Sequence, residues 1–129
     1  MKLEETKGDW ALITGASSGI GREFAVHLAA AGMNLAIVGR RKHLLEALKS
    51  ELSRQYKVRV VVLPFDLSDT GSVAEISSNL KEEGIKVRLL INNAASGKWG
   101  NFEDTNLKTY EDMIKLNVLA MVSIDLFHN

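Results

Sequence analysis

Cysteine is absent from the 129 residues, so no disulfide, thiolate nucleophile or cysteine-bound metal is available. A surplus of charge is absent too. Lys+Arg and Asp+Glu both number 16, giving zero formal net charge, whereas a dedicated nucleic-acid binder carries excess cations to neutralise phosphates. No segment approaches the ~18 consecutive apolar residues of a membrane helix. The opening Met1-Lys2-Leu3-Glu4-Glu5 is acidic and lacks the apolar run of a secretory signal, so the expected setting is cytoplasmic. The three histidines, His27, His43 and His128, are not spaced as metal ligands, and no metal is expected. There is no internal repeat and no low-complexity tract. What remains, 46% hydrophobic and 25% charged, is ordinary globular composition for a single domain or part of one.

The most informative stretch runs from Asp9 to Gly21. Trp10, Ala11, Leu12 and Ile13 form a short apolar run of the kind that makes a strand buried on both faces. Gly15, Gly19 and Gly21 follow. Ile20, Phe24, Leu28 and Ala31 then recur at spacings of 4, 4 and 3, one face of a helix. Strand, glycine turn and helix in that order place unpaired backbone N–H groups at a helix start, where the dipole favours a pyrophosphate. Gly19 lets the backbone approach a phosphate, and Gly21 lets the helix lie close on the strands. Ser17 and Ser18 add hydroxyls suited to bonding phosphate or capping the helix. Gly15, Ser17, Ser18, Gly19, Ile20 and Gly21 are therefore candidate dinucleotide contacts.

Gly32 stands where a helix ends, and Leu35 to Val38 make a second apolar strand closed by Gly39, Arg40, Arg41 and Lys42. In dinucleotide folds, a carboxylate at this strand end bonds the ribose 2′-hydroxyl of NAD, while an arginine nearby accommodates the 2′-phosphate of NADP. Here Gly39 takes the acid's place and two arginines follow. NADP is thus expected over NAD, with Arg40 as the main contact and Arg41 as its helper. Two cations at a helix start oppose the helix dipole, which disfavours reading them as a merely solvated face.

The segment Thr14 to Gly21, T-G-A-S-S-G-I-G, resembles the T-G-x-x-x-G-x-G signature of the short-chain dehydrogenase/reductase family. The resemblance continues along nearly all of the chain. Leu44, Leu45, Leu48 and Leu52 stripe a second helix, and Val60 to Leu63 form a third strand ended by Pro64. Asp66 and Leu67 follow. The resemblance implies that Asp66 bonds the adenine amino group and Leu67 packs near the ring; by themselves Asp66-Leu67-Ser68-Asp69 read equally as a turn and helix cap. Val73, Ile76 and Leu80 stripe a third helix, with Ser68 or Asp69 as its expected cap and Gly84 as its stop. A fourth strand, Val87 with Leu89 to Ile91, ends in Asn92-Asn93-Ala94-Ala95, similar to the family's N-N-A-G. The resemblance implies that Asn92 ties the central strands together and that Asn93, Ala94 and Ala95 lie beside the cofactor. Ala95 replaces a glycine, which disfavours positive φ there.

A glycine-rich loop, Ser96 to Asn101, follows; its Trp99 reads as a substrate wall or as a loop anchor. A last helix is expected from about Leu107 to Phe127, because Tyr110, Ile114, Asn117 and Met121 share a face. Asn117 matches the family's helix asparagine, which implies a place in its catalytic tetrad, holding a water in a proton relay. The remaining members, a Ser and a Tyr-x-x-x-Lys pair, have no counterpart: Tyr56 is followed four residues on by Val60, and Tyr110 by Ile114.

Four strand–helix alternations predict an α/β, doubly wound parallel sheet, Rossmann-like and three-layered αβα, in strand order 3-2-1-4. The expected organisation is a single partial NAD(P)-binding domain over residues 1–129, truncated after the fourth strand and following helix. The resemblance implies hydride transfer between NADP(H) and a carbonyl or secondary alcohol in the parent. For the chain alone it implies a cofactor-holding part without turnover. The alternative is a catalytically silent NADP(H)-binding or self-associating module. With the fourth strand at the sheet edge, association of two copies through that strand and the last helix is expected.

Overall fold

The fold is seen in a computed structural model, which describes residues 3–17, 19–93 and 120–123. Strands β1 (Trp10–Thr14), β2 (Asn34–Val38), β3 (Val60–Leu63) and β4 (Val87–Asn92) alternate with helices α1 (Gly19–Ala30), α2 (Lys42–Tyr56) and α3 (Ser72–Glu82). A fifth strand, β5 (Ala120–Ser123), completes one parallel sheet in the order β3-β2-β1-β4-β5. The Rossmann-like order expected for the first four strands is the order observed.

Side chains leave each central strand alternately to two faces, and each face has its own core. Leu12, Ala36, Val38 and Leu90 pack with Val73, Ile76 and Leu80 of α3. Ala11, Ile13, Leu35, Ile37, Leu89 and Ile91 pack with Ala25, Leu28 and Ala29 of α1 and Leu45, Leu48 and Leu52 of α2. Helices thus cover both sides of the sheet. Glycines close two of them in the same way: Met33 and Gly32 donate to Leu28 and Ala29, and Ile85 and Gly84 donate to Leu80 and Lys81. This bonding uses the carbonyls that a helix end leaves over, with the glycine in the left-handed region.

Four expectations need correction. The buried face of α1 is Gly21, Ala25, Leu28 and Ala29, about one residue round from the stripe expected on Ile20, Phe24, Leu28 and Ala31. The helix lies so close to the sheet that its smallest side chains face inward, and Ile20 is left 54% exposed. The N-cap of α3 is Gly71, not Ser68 or Asp69; the Ser72 hydroxyl reaches back to the Asp66 carbonyl at 2.6 Å instead, which delays the helix. Residues 120–123 form β5, whereas a helix was expected to Phe127. A short apolar run fits either period, and the open side of β4 supplies a ladder to pair with. Finally, β4 is an inner strand, since Leu89 to Asn92 pair with Ala120 to Ser123. The free edge assumed for association through β4 is occupied by the chain's own β5, and that argument for self-association falls.

Within the described residues β3 is the other outermost strand. The groove beside it carries Lys42, Lys49, Arg59 and Pro64, which discourage pairing with another chain. At the amino edge of the sheet the ladder shifts between Trp10 and Ala11, so Arg88 has no partner across from it. This bulge aims Arg88 at Asp9, 2.6 Å away. Among the described residues no helix is long and apolar enough to cross a membrane, and no group of three or more His, Cys, Asp or Glu is placed to hold a metal. His27 and His43 are exposed.

Candidate cofactor site

The parallel register brings the carboxyl ends of four strands level. Thr14 pairs with Val38 on one side and Asn92 on the other, and Val38 pairs with Leu63. Whatever follows each strand therefore gathers along one edge: the glycine turn, Gly39 with Arg40, the Asp66 turn, and Asn93. The chain runs outward from β1 through β2 to β3 and then crosses to β4 on the other side of β1. In open α/β sheets the ligand-binding crevice lies where the winding direction changes.

The turn after β1 is built from its neighbours. Gly15 and Gly19 hold φ of 64° and 62°, a region costly for residues with a Cβ. Ala16 donates to the Val38 carbonyl at 3.2 Å, tying the turn to the end of β2. Gly21 meets a different constraint. A Cβ there would stand 2.0 Å from the Gly15 carbonyl oxygen and 2.6 Å from Asn93 Nδ2, so the turn closes only because this position has no side chain. At Gly19 the same construction meets no atom of the described residues within 4 Å. Among the described residues no packing contact requires that glycine, and the room above it lies beside the first turn of α1, whose N–H groups have no intrahelical acceptor. Ile20, in the first turn of α1, is the exposed large apolar side chain among the described residues.

The turn is held from the β4 side. The Thr14 hydroxyl donates to Asn92 Oδ1 at 2.9 Å and accepts the Asn93 N–H at 3.0 Å; Asn93 Nδ2 donates to the Gly15 carbonyl at 3.1 Å. Asn92 therefore ties β1 to β4, as the resemblance implies. Asn93 is at the crevice, but its side-chain amide bonds the glycine turn. Thr14 is a site residue that the sequence motifs do not single out. Its signal was present, a polar residue ending a fully buried apolar strand. Thr14→Val keeps the shape and removes the hydroxyl, leaving the buried Asn92 oxygen short of a donor. Thermal or urea unfolding is expected to show a loss of about 1–3 kcal/mol; an unchanged midpoint would contradict this bridging role.

On the β2 side, Gly39 is buried and Arg40 and Arg41 are exposed. Arg41 is the N-cap of α2 and makes no side-chain cap bond. Among the described residues the ion pairs are Arg22–Glu51 and Arg88–Asp9, so neither arginine of the expected phosphate site is engaged in one. Ser17 Oγ lies 3.6 Å from where a Gly39 side chain would begin, which brings the glycine turn and the end of β2 together. Further along the edge, Asp66 Oδ1 accepts from the Ser68 N–H at 2.9 Å and the Ser68 hydroxyl at 2.7 Å. The turn reading of Asp66 is thereby realised. Leu67 packs, half-buried, against the α3-side core. Ser18, Ala94, Ala95, Trp99 and Asn117 lie outside the described residues.

The edge fits a nicotinamide dinucleotide on three counts. Among the described residues it has a positive-φ turn with room above Gly19, two arginines that enter no ion pair, and a carboxylate at the next strand end. A family model described as short chain dehydrogenase matches residues 9–125. The chain is 40% identical over 120 residues to a very-long-chain 3-oxoacyl-CoA reductase of Scheffersomyces stipitis, covering 92% of this chain and 35% of that protein. Among solved structures it is similar to a short-chain dehydrogenase from Sphingobium yanoikuyae in complex with NADPH, with 37% identity and a TM-score of 0.59, covering 64% of this chain and 32% of that one. It is also similar to an alcohol dehydrogenase from Thermococcus sibiricus complexed with 5-hydroxy-NADP, with 27% identity and a TM-score of 0.73, covering 91% and 57%. The chain thus spans between about a third and just over half the length of these relatives.

Proposed function

Since the chain belongs to the short chain dehydrogenase family, we propose that residues 1–129 are a partial Rossmann domain forming the cofactor-binding part of an NADP-dependent oxidoreductase. The parent reaction moves a hydride between NADP(H) and a carbonyl or secondary alcohol. The room that the described residues leave over Gly19, at the start of α1, carries the reading. Backbone N–H groups from Gly15 to Gly21, with the Ser17 and Ser18 hydroxyls, hold the diphosphate. Ile20 offers an apolar surface to the bound dinucleotide. Arg40, helped by Arg41, pairs with the 2′-phosphate. Asp66 accepts from the adenine amine and Leu67 packs beside the ring. Asn93, Ala94 and Ala95 contribute to cofactor binding, and Asn117 holds a water in the proton relay. The nicotinamide supplies hydride chemistry when bound; the residues named here bind and orient it. The Sphingobium and Thermococcus relatives, with NADPH and 5-hydroxy-NADP in their structures, support NADP over NAD.

A second reading rests on one observation of the sequence: neither Tyr56 nor Tyr110 has a lysine four residues on. A free phenol with a pKa of about 10 is a poor base at neutral pH without such a neighbour. On this basis the 129 residues by themselves hold NADP(H) without turning it over. Fluorescence titration is expected to show tighter binding of NADPH than NADH, and a panel of ketones no NADPH oxidation above the uncatalysed rate. Equal affinity for the two dinucleotides would contradict the NADP reading, and measurable turnover the second one.

A further inference from the structure

Gly39 takes the place where an NAD-binding chain of this fold carries its acid. Gly39 is buried, and its φ is not in the left-handed region, so its backbone imposes no need for glycine. Its surroundings do. A Cβ built on it would lie 3.3 Å from Leu45 Cδ2 and 3.6 Å from Leu45 Cδ1, with Ser17 Oγ at an ordinary 3.6 Å. Among the described residues the tight contact belongs to Leu45. Leu45 sits in the first turn of α2, where its N–H bonds the Arg41 carbonyl at 3.2 Å. Its side chain is fully buried in the core between α1, α2 and the sheet. Close-packed interiors give way poorly, so Leu45 has little freedom to withdraw.

We propose that Leu45 is a second specificity-determining residue: by filling the room beside Gly39 it keeps a carboxylate from the end of β2, and so leaves the ribose 2′ position to Arg40. This rests on the cofactor reading above and deepens it. Preference then resides in a coupled pair rather than in one position. An acid at 39 can meet the ribose 2′-hydroxyl only if residue 45 is small. Leu45 does not touch the cofactor; it acts through what it permits at 39, and is a positioning residue.

The test is a double-mutant cycle on the 129-residue chain: wild type, Gly39→Asp, Leu45→Ala and the pair. Each is titrated with NADPH and NADH by fluorescence, and each melting temperature is recorded. Gly39→Asp alone is expected to melt lower and to lose about tenfold or more in NADPH affinity, without gaining NADH. Leu45→Ala alone keeps the wild-type ratio of the two affinities. The pair is expected to bind NADH about tenfold or more tightly than Gly39→Asp does. Should Leu45→Ala fail to fold, Leu45→Val withdraws the crowding atoms with less loss of volume, and the same gain is expected in its pair. NADH affinity of Gly39→Asp equal to that of the pair overturns the proposal, as does a pair that gains none. If wild type prefers NADPH while the pair stays unswitched, Leu45 alone is refuted. If wild type binds neither dinucleotide, the cofactor reading fails and takes this proposal with it.

Discussion

Gly21→Ala is expected to lower the stability of the chain by about 3 kcal/mol or more, a fall of roughly 10 °C in melting temperature, and to abolish NADPH binding with it. The added carbon would stand 2.0 Å from the Gly15 carbonyl oxygen. That atom belongs to backbone, so no rotamer change relieves the clash; either α1 moves off the sheet or the turn opens. The second contact, 2.6 Å to Asn93 Nδ2, displaces the amide that bonds the same carbonyl, so the tie from β4 is weakened as well. Gly19→Ala is the informative contrast. Its Cβ meets no described atom within 4 Å, so the penalty is that of the left-handed backbone, on the order of 1–2 kcal/mol. Its methyl nonetheless enters the space assigned to the diphosphate. Gly19→Ala is therefore expected to fold and to bind NADPH poorly, whereas Gly21→Ala loses both properties. Melting curves and fluorescence titration of the two variants separate these outcomes. Wild-type affinity in Gly19→Ala would mean that the phosphates lie elsewhere.

Arg40→Asp is expected to weaken NADPH binding about 100-fold while leaving NADH within a few-fold of wild type. Two effects act in the same direction. A charge-assisted bond to the 2′-phosphate, worth about 1.5–3 kcal/mol, is lost, and a carboxylate now repels that phosphate. NADH has no 2′-phosphate and feels neither. Arg40 is exposed, so the titrations are compared at one ionic strength, because salt screens the contribution. An equal loss for both dinucleotides would assign Arg40 a general rather than a 2′-specific role.

Much of this fold was legible because the local signals were short and redundant. β3 falls on Val60 to Leu63 as read, since a β-branched run between a charged residue and Pro64 admits little else. Gly32 and Gly84 end their helices where expected. The glycine turn was legible because each constraint on it leaves a glycine in the sequence. What escaped reading depends on pairs distant in the chain. The buried face of α1 is set by its closeness to the sheet, which favours Gly21 and Ala25 over Ile20 and Phe24. The strand at Ala120 to Ser123 is stabilised by β4, some thirty residues earlier, and its own periodicity is ambiguous. Thr14 acquires its role only when Asn92 and Asn93 come beside it. The crowding of Gly39 by Leu45 is likewise invisible until α2 folds back on β2.

The most direct measurement is a crystal of the chain soaked with NADP. The account predicts diphosphate density within hydrogen-bond distance of backbone nitrogens between Gly15 and Gly21, over Gly19, with the 2′-phosphate against the Arg40 guanidinium. A dinucleotide bound elsewhere on the sheet edge, or that space filled by the chain's own residues, would contradict it.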